Sequence, residues 1–280
     1  MTELDPSCRP EGRTIDANGI RTRYFEAGEG EPVILVHGGG PGADGFGNWQ
    51  GCLDRFARSF RTIVVDMIGF GQTEKPDPER FVYSQDARTH HLIGFIEALG
   101  LSRVSLVGNS MGGCTALGVA MKRPALLKKL VLMGSAGIKT SEVPAALGPL
   151  MQYDGTAEGM RKVVRALTHR DFEVDEAMVE YRVALSNEPA TAAALRATMG
   201  WVKERHGLYY EDDEIRSVAT PTLVIAGKDD PIVTLAQNFR FLELIESSRG
   251  YFIPRCGHWV MVEHPKEFAE VTTRFLVQQE

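Results

Sequence analysis

Short apolar runs of strand length alternate along this chain with segments whose apolar residues recur at helical spacing. Runs typical of buried strands cover residues 22–26, 32–36, 62–66, 104–107, 130–133, 222–226 and 251–253. Helical segments follow at residues 84–99, 114–121 and 235–245. Repeated alternation of strand and helix predicts an α/β fold, with a mainly parallel sheet covered by helices on both faces.

The alternation stops between residues 138 and 207, where helical spacing appears around residues 160–167, 177–185 and 192–202. Such an interruption between two strand–helix units predicts a helical cap inserted over the mouth of the sheet. We therefore expect a core of residues 1–137 and 208–280 and a cap of residues 138–207. Six apolar cap residues either line a lipophilic cavity or attach the cap to the core: Met151, Tyr153, Phe172, Met178, Met199 and Trp201.

Composition places the chain among ordinary globular proteins. Its 280 residues are 43% hydrophobic and carry a formal net charge of −6, with acidic and basic residues interspersed. Without a basic stripe the chain is not expected to bind nucleic acid, and no apolar run reaches the roughly 18 residues that span a bilayer. The first residues are acidic and polar, unlike a signal peptide, so we expect a cytoplasmic protein without a membrane partner.

The four cysteines, Cys8, Cys52, Cys114 and Cys256, are scattered along the sequence. They lack the C-x-x-C spacing of a metal or redox site. Cys114 and Cys256 are near candidate catalytic residues, but their small or apolar neighbours favour a packing role. The sequence therefore indicates free thiols.

Residues 108–113 read G-N-S-M-G-G and directly follow the apolar run 104–107. A strand, one sharp turn around Ser110 and a helix form the typical setting of a nucleophilic serine. Side chains at Gly108 and Gly112 would collide with neighbouring backbone in so tight a turn. The alternative is an ordinary strand-to-helix turn, but the setting favours Ser110 as a nucleophile at a helix N-terminus.

A second glycine run, H-G-G-G-P-G at residues 37–42, follows the apolar run 32–36. Glycines after a strand leave backbone N–H groups free to point into a cavity. A phosphate loop is the alternative, but the run lacks the G-K-[ST] ending and the G-x-G-x-x-G pattern. We therefore interpret it as an oxyanion loop, with the N–H groups of Gly39 and Met111 as the two donors.

Acidic residues follow two of the predicted strands. Asp66 precedes the serine in the chain, whereas an α/β hydrolase orders its triad Ser, Asp, His, so Asp66 is expected to brace its loop. Of the neighbouring pair after residues 222–226, Asp230 fits the position of a triad acid because Pro231 and an apolar pair follow. Asp229 is expected to face solvent or cap the turn.

Among the histidines, His258 has the position of a triad base. It follows the last predicted strand, and Gly257 allows it to turn from the strand end toward the serine. His90 and His91 are expected on the more polar side of the helix at 84–99, and His264 opens the terminal helix before a proline.

The order Ser110, Asp230, His258 is that of an α/β-hydrolase triad, with all three residues at carboxyl ends of strands. His258 would accept the proton of Ser110, and Asp230 would fix the tautomer of the imidazole. The Gly39 and Met111 amides would stabilise the oxyanion. The predicted chemistry is therefore acyl transfer through a serine nucleophile.

Several motifs carry a narrower resemblance: H-G-G-G-P-G, the pair Asn48-Trp49, G-N-S-M-G-G and the C-G-H-W that ends in Trp259. Together they resemble the meta-cleavage product hydrolases, which cleave a carbon–carbon bond in ring-opened aromatics during bacterial degradation. The chain is most similar in look to members of carbazole, dioxin and biaryl pathways, which act on 2-hydroxy-6-oxo-6-arylhexa-2,4-dienoates. The resemblance extends over nearly the whole chain.

The resemblance implies a substrate-binding set in this sequence: Gly38, Gly40, Asn48, Asn109, Arg182 and Trp259. In that family such positions bind the carboxylate and the 2-oxo or 2-hydroxy end of the substrate. For the cap arginine, Arg182 is preferred because its distance before Asp230 fits, and Arg196 remains the competitor. The resemblance further implies no cofactor, no metal, and a homodimer or higher homo-oligomer.

Three other functions use a similar fold. A carboxylesterase or lactonase would use the same triad on an ester, but an arginine–asparagine cluster suits a free carboxylate better. A haloalkane dehalogenase would carry Asp at the position of Ser110. A hydrolase-like receptor would not need an intact triad. We therefore expect cleavage of the C5–C6 bond of a dienoate, with esterase or lactonase as the alternative.

Overall fold

The computed structural model describes residues 10–140 and 144–278, so Cys8 and the first residues of the chain lie outside the described residues. The strands are β1 (Arg13–Ala17), β2 (Ile20–Ala27), β3 (Pro32–Val36), β4 (Arg61–Val65), β5 (Val104–Asn109), β6 (Leu127–Met133), β7 (Thr222–Gly227) and β8 (Ser248–Ile253). Within the described ranges these eight strands form one sheet in the order β1-β2-β4-β3-β5-β6-β7-β8.

The α-helices are α1 (Gly45–Ala57), α2 (Gln85–Ala98), α3 (Met111–Lys122), α4 (Gly148–Met151), α5 (Ala157–Leu167), α6 (Glu176–Ser186), α7 (Pro189–Glu204), α8 (Asp212–Arg216), α9 (Leu235–Leu244), α10 (Val260–Glu263) and α11 (Pro265–Val277). Side-chain N-caps begin several of them. Asp44 accepts the N–H of Gly47 in α1, and Ser84 accepts that of Ala87 in α2.

The sheet is parallel from β4 through β8, and only its β1–β2 and β2–β4 pairings are antiparallel. Strand β1 was not predicted, because its residues are mostly polar and exposed. Asn18 and Gly19, both with positive φ, form the two-residue turn to β2 that is typical of a hairpin. The parallel order brings the carboxyl ends of β3, β5, β6, β7 and β8 to one edge.

Alternate side chains of the central strands enter two apolar layers, one on each face of the sheet. Leu106 and Leu132 point into the layer that includes Phe95 of α2, Leu117 of α3 and Phe241 of α9. Opposite them, Val107, Val131 and Ile225 point into the layer that includes Trp49 of α1 and Phe268 of α11. The predicted α/β-hydrolase architecture, a mainly parallel sheet with helices on both faces, is therefore confirmed.

Helices α4 to α7 are inserted between β6 and β7. The chain leaves and re-enters the core at neighbouring points, because Gly137 and Tyr209 form a parallel β-bridge and the N–H of Tyr210 donates to the carbonyl of Gly137 at 3.0 Å. The bounds 138–207 for the cap agree with this bridge and remain a prediction.

The prediction for α2 was wrong for one of its two histidines. His90 is exposed, whereas His91 is buried. Nδ1 of His91 accepts the N–H of Ile68 at 3.4 Å, and Nε2 is 2.8 Å from the hydroxyl of Thr22. Burial lowers the pKa of His91 to about 3, so the ring is neutral and links α2 to the sheet.

The described cysteines and Asp66 have the environments that the sequence predicts. Cys52, Cys114 and Cys256 are free and buried, and burial raises the pKa of Cys114 to about 12. Asp66 accepts the N–H groups of Gly45 and Gln72, as expected for a residue that braces its loop. In the part of the chain that the structure describes, no helix combines the length and apolarity required to cross a bilayer.

Candidate active site

Ser110 stands on a sharp turn between β5 and α3. Its backbone has φ of 53° and ψ of −118°, a left-handed conformation that a non-glycine residue adopts only under strain. A Cβ at Gly108 would lie 2.6 Å from the carbonyl oxygen of Gly112, and one at Gly112 would lie 2.3 Å from that of His37. The glycines are therefore required for the turn that presents the Ser110 hydroxyl.

Asp230 follows the end of β7 and is buried, while its neighbour Asp229 is exposed. Its Oδ1 accepts the N–H groups of Ile232 at 2.8 Å and Val233 at 2.9 Å. Its Oδ2 is 2.8 Å from Nδ1 of His258. The structure thus places the predicted acid against the predicted base and fixes the carboxylate with two backbone donors.

His258 lies on the loop after β8, and this loop is attached to the end of α5. The carbonyl of Leu167 accepts the N–H groups of His258 at 2.9 Å and Trp259 at 3.1 Å. A Cβ at Gly257 would lie 2.7 Å from the carbonyl carbon of Thr168. Gly257 is therefore required for the close packing of this loop against the residues that follow α5.

Glu263 of α10, which has no recognisable motif in the sequence, adds a second attachment at the same place. Its carboxylate accepts the N–H of Gly257 at 2.9 Å and the N–H of His169 at 2.7 Å. Burial raises the pKa of this carboxyl group. Because Glu263 bridges the loop of His258 to the second residue after α5, it supports the position of the imidazole through backbone contacts.

The imidazole of His37 orients the peptide that contains the first predicted oxyanion donor. Its Nε2 accepts the N–H of Met67 at 3.0 Å, so Nδ1 carries the proton and donates to the carbonyl of Gly38 at 2.7 Å. In a trans peptide the C=O and the following N–H point in opposite directions. The N–H of Gly39 therefore points away from the imidazole, an orientation that suits an oxyanion donor.

Met111 supplies the second predicted donor. It is the first residue of α3, where a backbone N–H has no acceptor within the helix. A Cβ at Gly39 would lie 2.8 Å from Cε of Met111, so the two segments are in close contact. The helix N-terminus also favours negative charge at this point.

A cavity of about 360 Å³ lies beside Ser110 and His258. It brings together most of the predicted binding residues: Gly38, Gly39, Asn48, Asn109, Met111, Arg182 and Trp259. Gly40 is not on its wall, and a Cβ there would meet only Leu150 at 3.5 Å. The structure therefore does not bring Gly40 to the cavity, and its binding role remains a prediction.

Arg182 of α6 is buried in the wall of this cavity, whereas Arg196 of α7 is exposed and lies elsewhere. Nη2 of Arg182 donates to the carbonyl of Pro41 at 2.8 Å, and the guanidinium carbon of Arg182 is 4.7 Å from the ring centroid of Trp259. Its Nε is buried without a hydrogen-bond partner. Burial lowers the pKa of Arg182 only to about 10, so the side chain is a cation at neutral pH.

Two asparagines complete the polar part of the wall, and both are buried. Nδ2 of Asn109 donates to the carbonyl of Met133 at 3.2 Å, while its Oδ1 has no hydrogen-bond partner. Asn48 lies in the first turns of α1. Buried polar atoms without a protein partner indicate that a ligand or water completes their hydrogen bonds.

The remaining wall is largely apolar and comes mainly from the segment between β6 and β7. Met151 and Met199, two of the six predicted cap residues, line it, as does Ile232 of the core. Tyr153, Phe172 and Met178 instead pack against the apolar layer on the α1 side of the sheet. Trp201 is also outside the cavity wall; the guanidinium carbon of Arg88 is 5.7 Å from the centroid of its ring.

In the described ranges, no cluster of three or more His, Cys, Asp or Glu side chains is arranged to hold a metal ion. The site instead combines a strained serine, a buried His–Asp pair and backbone donors. Together with the sheet topology, these features define a serine hydrolase of the α/β-hydrolase fold.

Comparisons with known proteins agree with this class and narrow it. The family model described as alpha/beta hydrolase fold matches residues 31–265. The 2-hydroxy-6-oxo-6-(2'-aminophenyl)hexa-2,4-dienoic acid hydrolase of Metapseudomonas resinovorans is 49% identical, over 94% of this chain and 90% of its own length. The 2-hydroxy-6-oxo-2,4-heptadienoate hydrolase of Pseudomonas putida is 34% identical, over 96% and 97%.

The chain is also similar in structure to a solved enzyme of this kind. The crystal structure of a serine hydrolase involved in carbazole degradation, the CarC enzyme, superposes with a TM-score of 0.88 and is 48% identical. The match covers 95% of this chain and 98% of that one. The chain belongs to the meta-cleavage product hydrolases of the α/β-hydrolase family, as the resemblance of its motifs predicted.

Proposed function

We propose that this protein hydrolyses the C5–C6 bond of 2-hydroxy-6-oxohexa-2,4-dienoates, the ring-cleavage products of aromatic compounds. The products are 2-hydroxypenta-2,4-dienoate and a carboxylic acid. The names of relatives that are 49% and 34% identical over nearly the whole chain support this reaction.

The observation that carries the proposal is the buried cation beside the nucleophile. Arg182 lines the same cavity as Ser110, and no carboxylate in the described part of the chain forms an ion pair with it. A buried cation that no ion pair neutralises is costly, so such a site favours a ligand that carries its own negative charge. A dienoate meets this requirement with its free carboxylate, whereas a simple neutral ester does not.

The first step prepares an electron sink, because a ketone has no good leaving group. Arg182 and Asn109 hold the carboxylate and the oxygen on C2 while the 2-hydroxydienoate becomes its 2-oxo tautomer. In this step the 2-hydroxyl proton is lost and C5 gains a proton, and His258 handles the transfer. The resulting 2-oxo-3-enoate can accept the electron pair of the C5–C6 bond.

Ser110 then attacks the C6 ketone while His258 accepts its proton. The N–H groups of Gly39 and Met111 stabilise the oxyanion on C6. Collapse of this intermediate breaks the C5–C6 bond and sends its electron pair through C3–C4 to the oxygen on C2. The dienolate leaves with a proton as 2-hydroxypenta-2,4-dienoate, and water hydrolyses the acyl enzyme to the acid.

The apolar part of the cavity suits the group attached to C6. Because a relative that is 49% identical is named for a 2'-aminophenyl substrate, we propose an aryl substituent rather than methyl. The proposed cap of residues 138–207 supplies much of this apolar wall. We further propose that the protein is cytoplasmic, forms a homodimer or higher homo-oligomer, and binds neither nucleic acid nor membranes.

Absorbance measurements on the purified protein test the reaction. We expect rapid bleaching of the yellow 2-hydroxy-6-oxo-6-phenylhexa-2,4-dienoate, slower bleaching of the 6-methyl analogue and slow turnover of 4-nitrophenyl esters. Chromatography should identify benzoic acid and 2-hydroxypenta-2,4-dienoate in equal amounts. The reverse ranking, with fast ester turnover and little bleaching, would replace the proposal with an esterase.

A further inference from the structure

Asp44 is a buried carboxylate to which the proposed mechanism assigns no role. Its Oδ1 accepts the N–H of Gly47 at 2.8 Å, and its carbonyl accepts the N–H of Asn48 at 3.3 Å. These two hydrogen bonds fix the first turn of α1, where Asn48 faces the cavity. The position of Asn48 therefore depends on Asp44.

The second oxygen of the same carboxylate reaches the segment between β6 and β7. The hydroxyl of Tyr181 in α6 donates to Oδ2 of Asp44. Tyr181 directly precedes Arg182, and its ring also lies against α1, because a Cβ at Gly47 would be 2.9 Å from its Cε1. One carboxylate therefore contacts the helix of Asn48 and the helix of Arg182.

Backbone packing brings these two helices together at the same place. Gly42 has a φ of 64°, and a Cβ there would lie 2.2 Å from the carbonyl oxygen of Arg182. Nη2 of Arg182 donates to the carbonyl of Pro41. The loop at residues 41–44 is thus in direct contact with α6 at Arg182, next to the Asp44–Tyr181 hydrogen bond.

The charges around Asp44 favour the same arrangement. Burial and the neighbouring Asp66 carboxylate raise the pKa of Asp44 to about 6, while the Tyr181 hydrogen bond and His37 oppose this rise. The Asp44 charge also raises the pKa of Arg182 and thereby favours its cationic form. At neutral pH, Asp44 is an anion close enough to act on Arg182 without forming an ion pair that would occupy it.

We propose that Asp44 and Tyr181 are positioning residues for substrate binding: their hydrogen bond sets the separation between Asn48 and Arg182 that fits the carboxylate end of a dienoate. This inference rests on the proposed function, because it assumes that the two side chains bind that carboxylate. Neither Asp44 nor Tyr181 lines the cavity, so both act through the helices that they join.

Tyr181→Phe tests the proposal, because it removes the hydroxyl and keeps the ring against α1. In an otherwise Ser110→Ala protein, which cannot cleave, we expect the dissociation constant of 2-hydroxy-6-oxo-6-phenylhexa-2,4-dienoate to rise about five- to tenfold. With Ser110 present, KM for the dienoate should rise by a similar factor, while kcat/KM for neutral 4-nitrophenyl acetate falls less than about twofold.

Tyr153→Phe is the matched control. Its hydroxyl is bonded to that of Ser186 at 2.9 Å, within the segment between β6 and β7 rather than across to α1. We expect this variant to bind the dienoate as the unsubstituted protein does. As a second test, Asp44→Asn keeps one of the two acceptor oxygens and loses the charge, and the dissociation constant should rise about two- to fivefold.

Unchanged dienoate binding in both Tyr181→Phe and Asp44→Asn would overturn the positioning role of these residues and leave the proposed function intact. Equal losses with the dienoate and the ester would also overturn it, because general damage to packing does not distinguish an anionic from a neutral substrate. If the unsubstituted protein bleaches no dienoate but hydrolyses the ester, the proposed function fails and this inference fails with it.

Discussion

The two halves of the cavity wall are built in different ways. On the nucleophile side, Ser110, Asp230 and His258 follow strand ends, and glycines allow the backbone approaches that hold them. On the anion-binding side, Asn48 and Arg182 come from helices joined by a hydrogen bond between residues 137 positions apart. The first half depends on backbone geometry within the core, and the second on side-chain contacts between the core and an inserted segment.

This difference predicts which substrate loses activity when a residue on either side is substituted. Damage to the nucleophile side should impair the dienoate and a neutral ester alike, because both require the serine and the oxyanion donors. Damage to the anion-binding side should impair the dienoate selectively. The ratio of kcat/KM for the dienoate to kcat/KM for 4-nitrophenyl acetate is therefore the quantity that separates the two halves.

Arg182→Ala should change this ratio most. Loss of a buried cation that binds a carboxylate should reduce kcat/KM for the dienoate by about 10²- to 10³-fold, with a change below about threefold for the ester. Arg196→Ala is the matched control, because Arg196 is exposed on the neighbouring helix. Equal and small losses in the two variants would show that neither arginine binds the substrate carboxylate.

His37→Ala tests the nucleophile side. Without the imidazole, the carbonyl of Gly38 loses its donor and the peptide with the Gly39 N–H is no longer fixed. We expect kcat to fall about 10- to 100-fold for both substrates, less than complete removal of an oxyanion donor. Steady-state kinetics with the two substrates make the measurement. A selective loss with the dienoate would place His37 on the anion-binding side.

Asp44 should affect stability rather than turnover, through a pH dependence of the free energy of unfolding. Its pKa of about 6 in the folded protein lies above the ordinary 3.8, so its contribution to stability is fully present below about pH 4 and is lost as the pH rises through 6. Asp44→Asn lacks this titration. Between pH 4 and 7.5, the unfolding free energy of the unsubstituted protein should therefore fall relative to the variant, by up to about 3 kcal/mol.

Urea unfolding at several pH values, followed by circular dichroism, measures that difference. The facing groups Asp66, His37, Tyr181 and Arg182 are present in both proteins, so the difference reports the titration of Asp44 together with its effect on these neighbours. A difference that stays constant between pH 4 and 7.5 would show that Asp44 ionises with an ordinary pKa.

The nucleophile side was predictable from the sequence because its determinants are local. Ser110, Asp230 and His258 each follow an apolar strand, and the adjacent glycines are visible as short motifs. The family resemblance supplied Arg182, which geometry then separated from Arg196 by burial. The chain order of the three catalytic candidates also indicated the fold, since strand ends at one edge of a parallel sheet converge.

Other features had no comparable local signal. Asp44 and Tyr181 are ordinary residues in the sequence, and their contact arises only when α6 packs on the loop before α1. Glu263 likewise becomes significant because α5 ends beside the loop of His258. His91 was placed on the wrong side of α2 because its partner Thr22 belongs to a strand far away in the chain. Contacts between distant segments depend on tertiary packing, which short-range patterns do not encode.

Ser110→Ala separates binding from cleavage in one cavity, and therefore tests whether Ser110 is the nucleophile. On rapid mixing with 2-hydroxy-6-oxo-6-phenylhexa-2,4-dienoate, the variant should show the absorbance change of a bound substrate, with an affinity close to the KM of the unsubstituted protein. Benzoic acid should form at least about 10⁴-fold more slowly. Release of benzoic acid at an unimpaired rate would show that Ser110 is not the nucleophile.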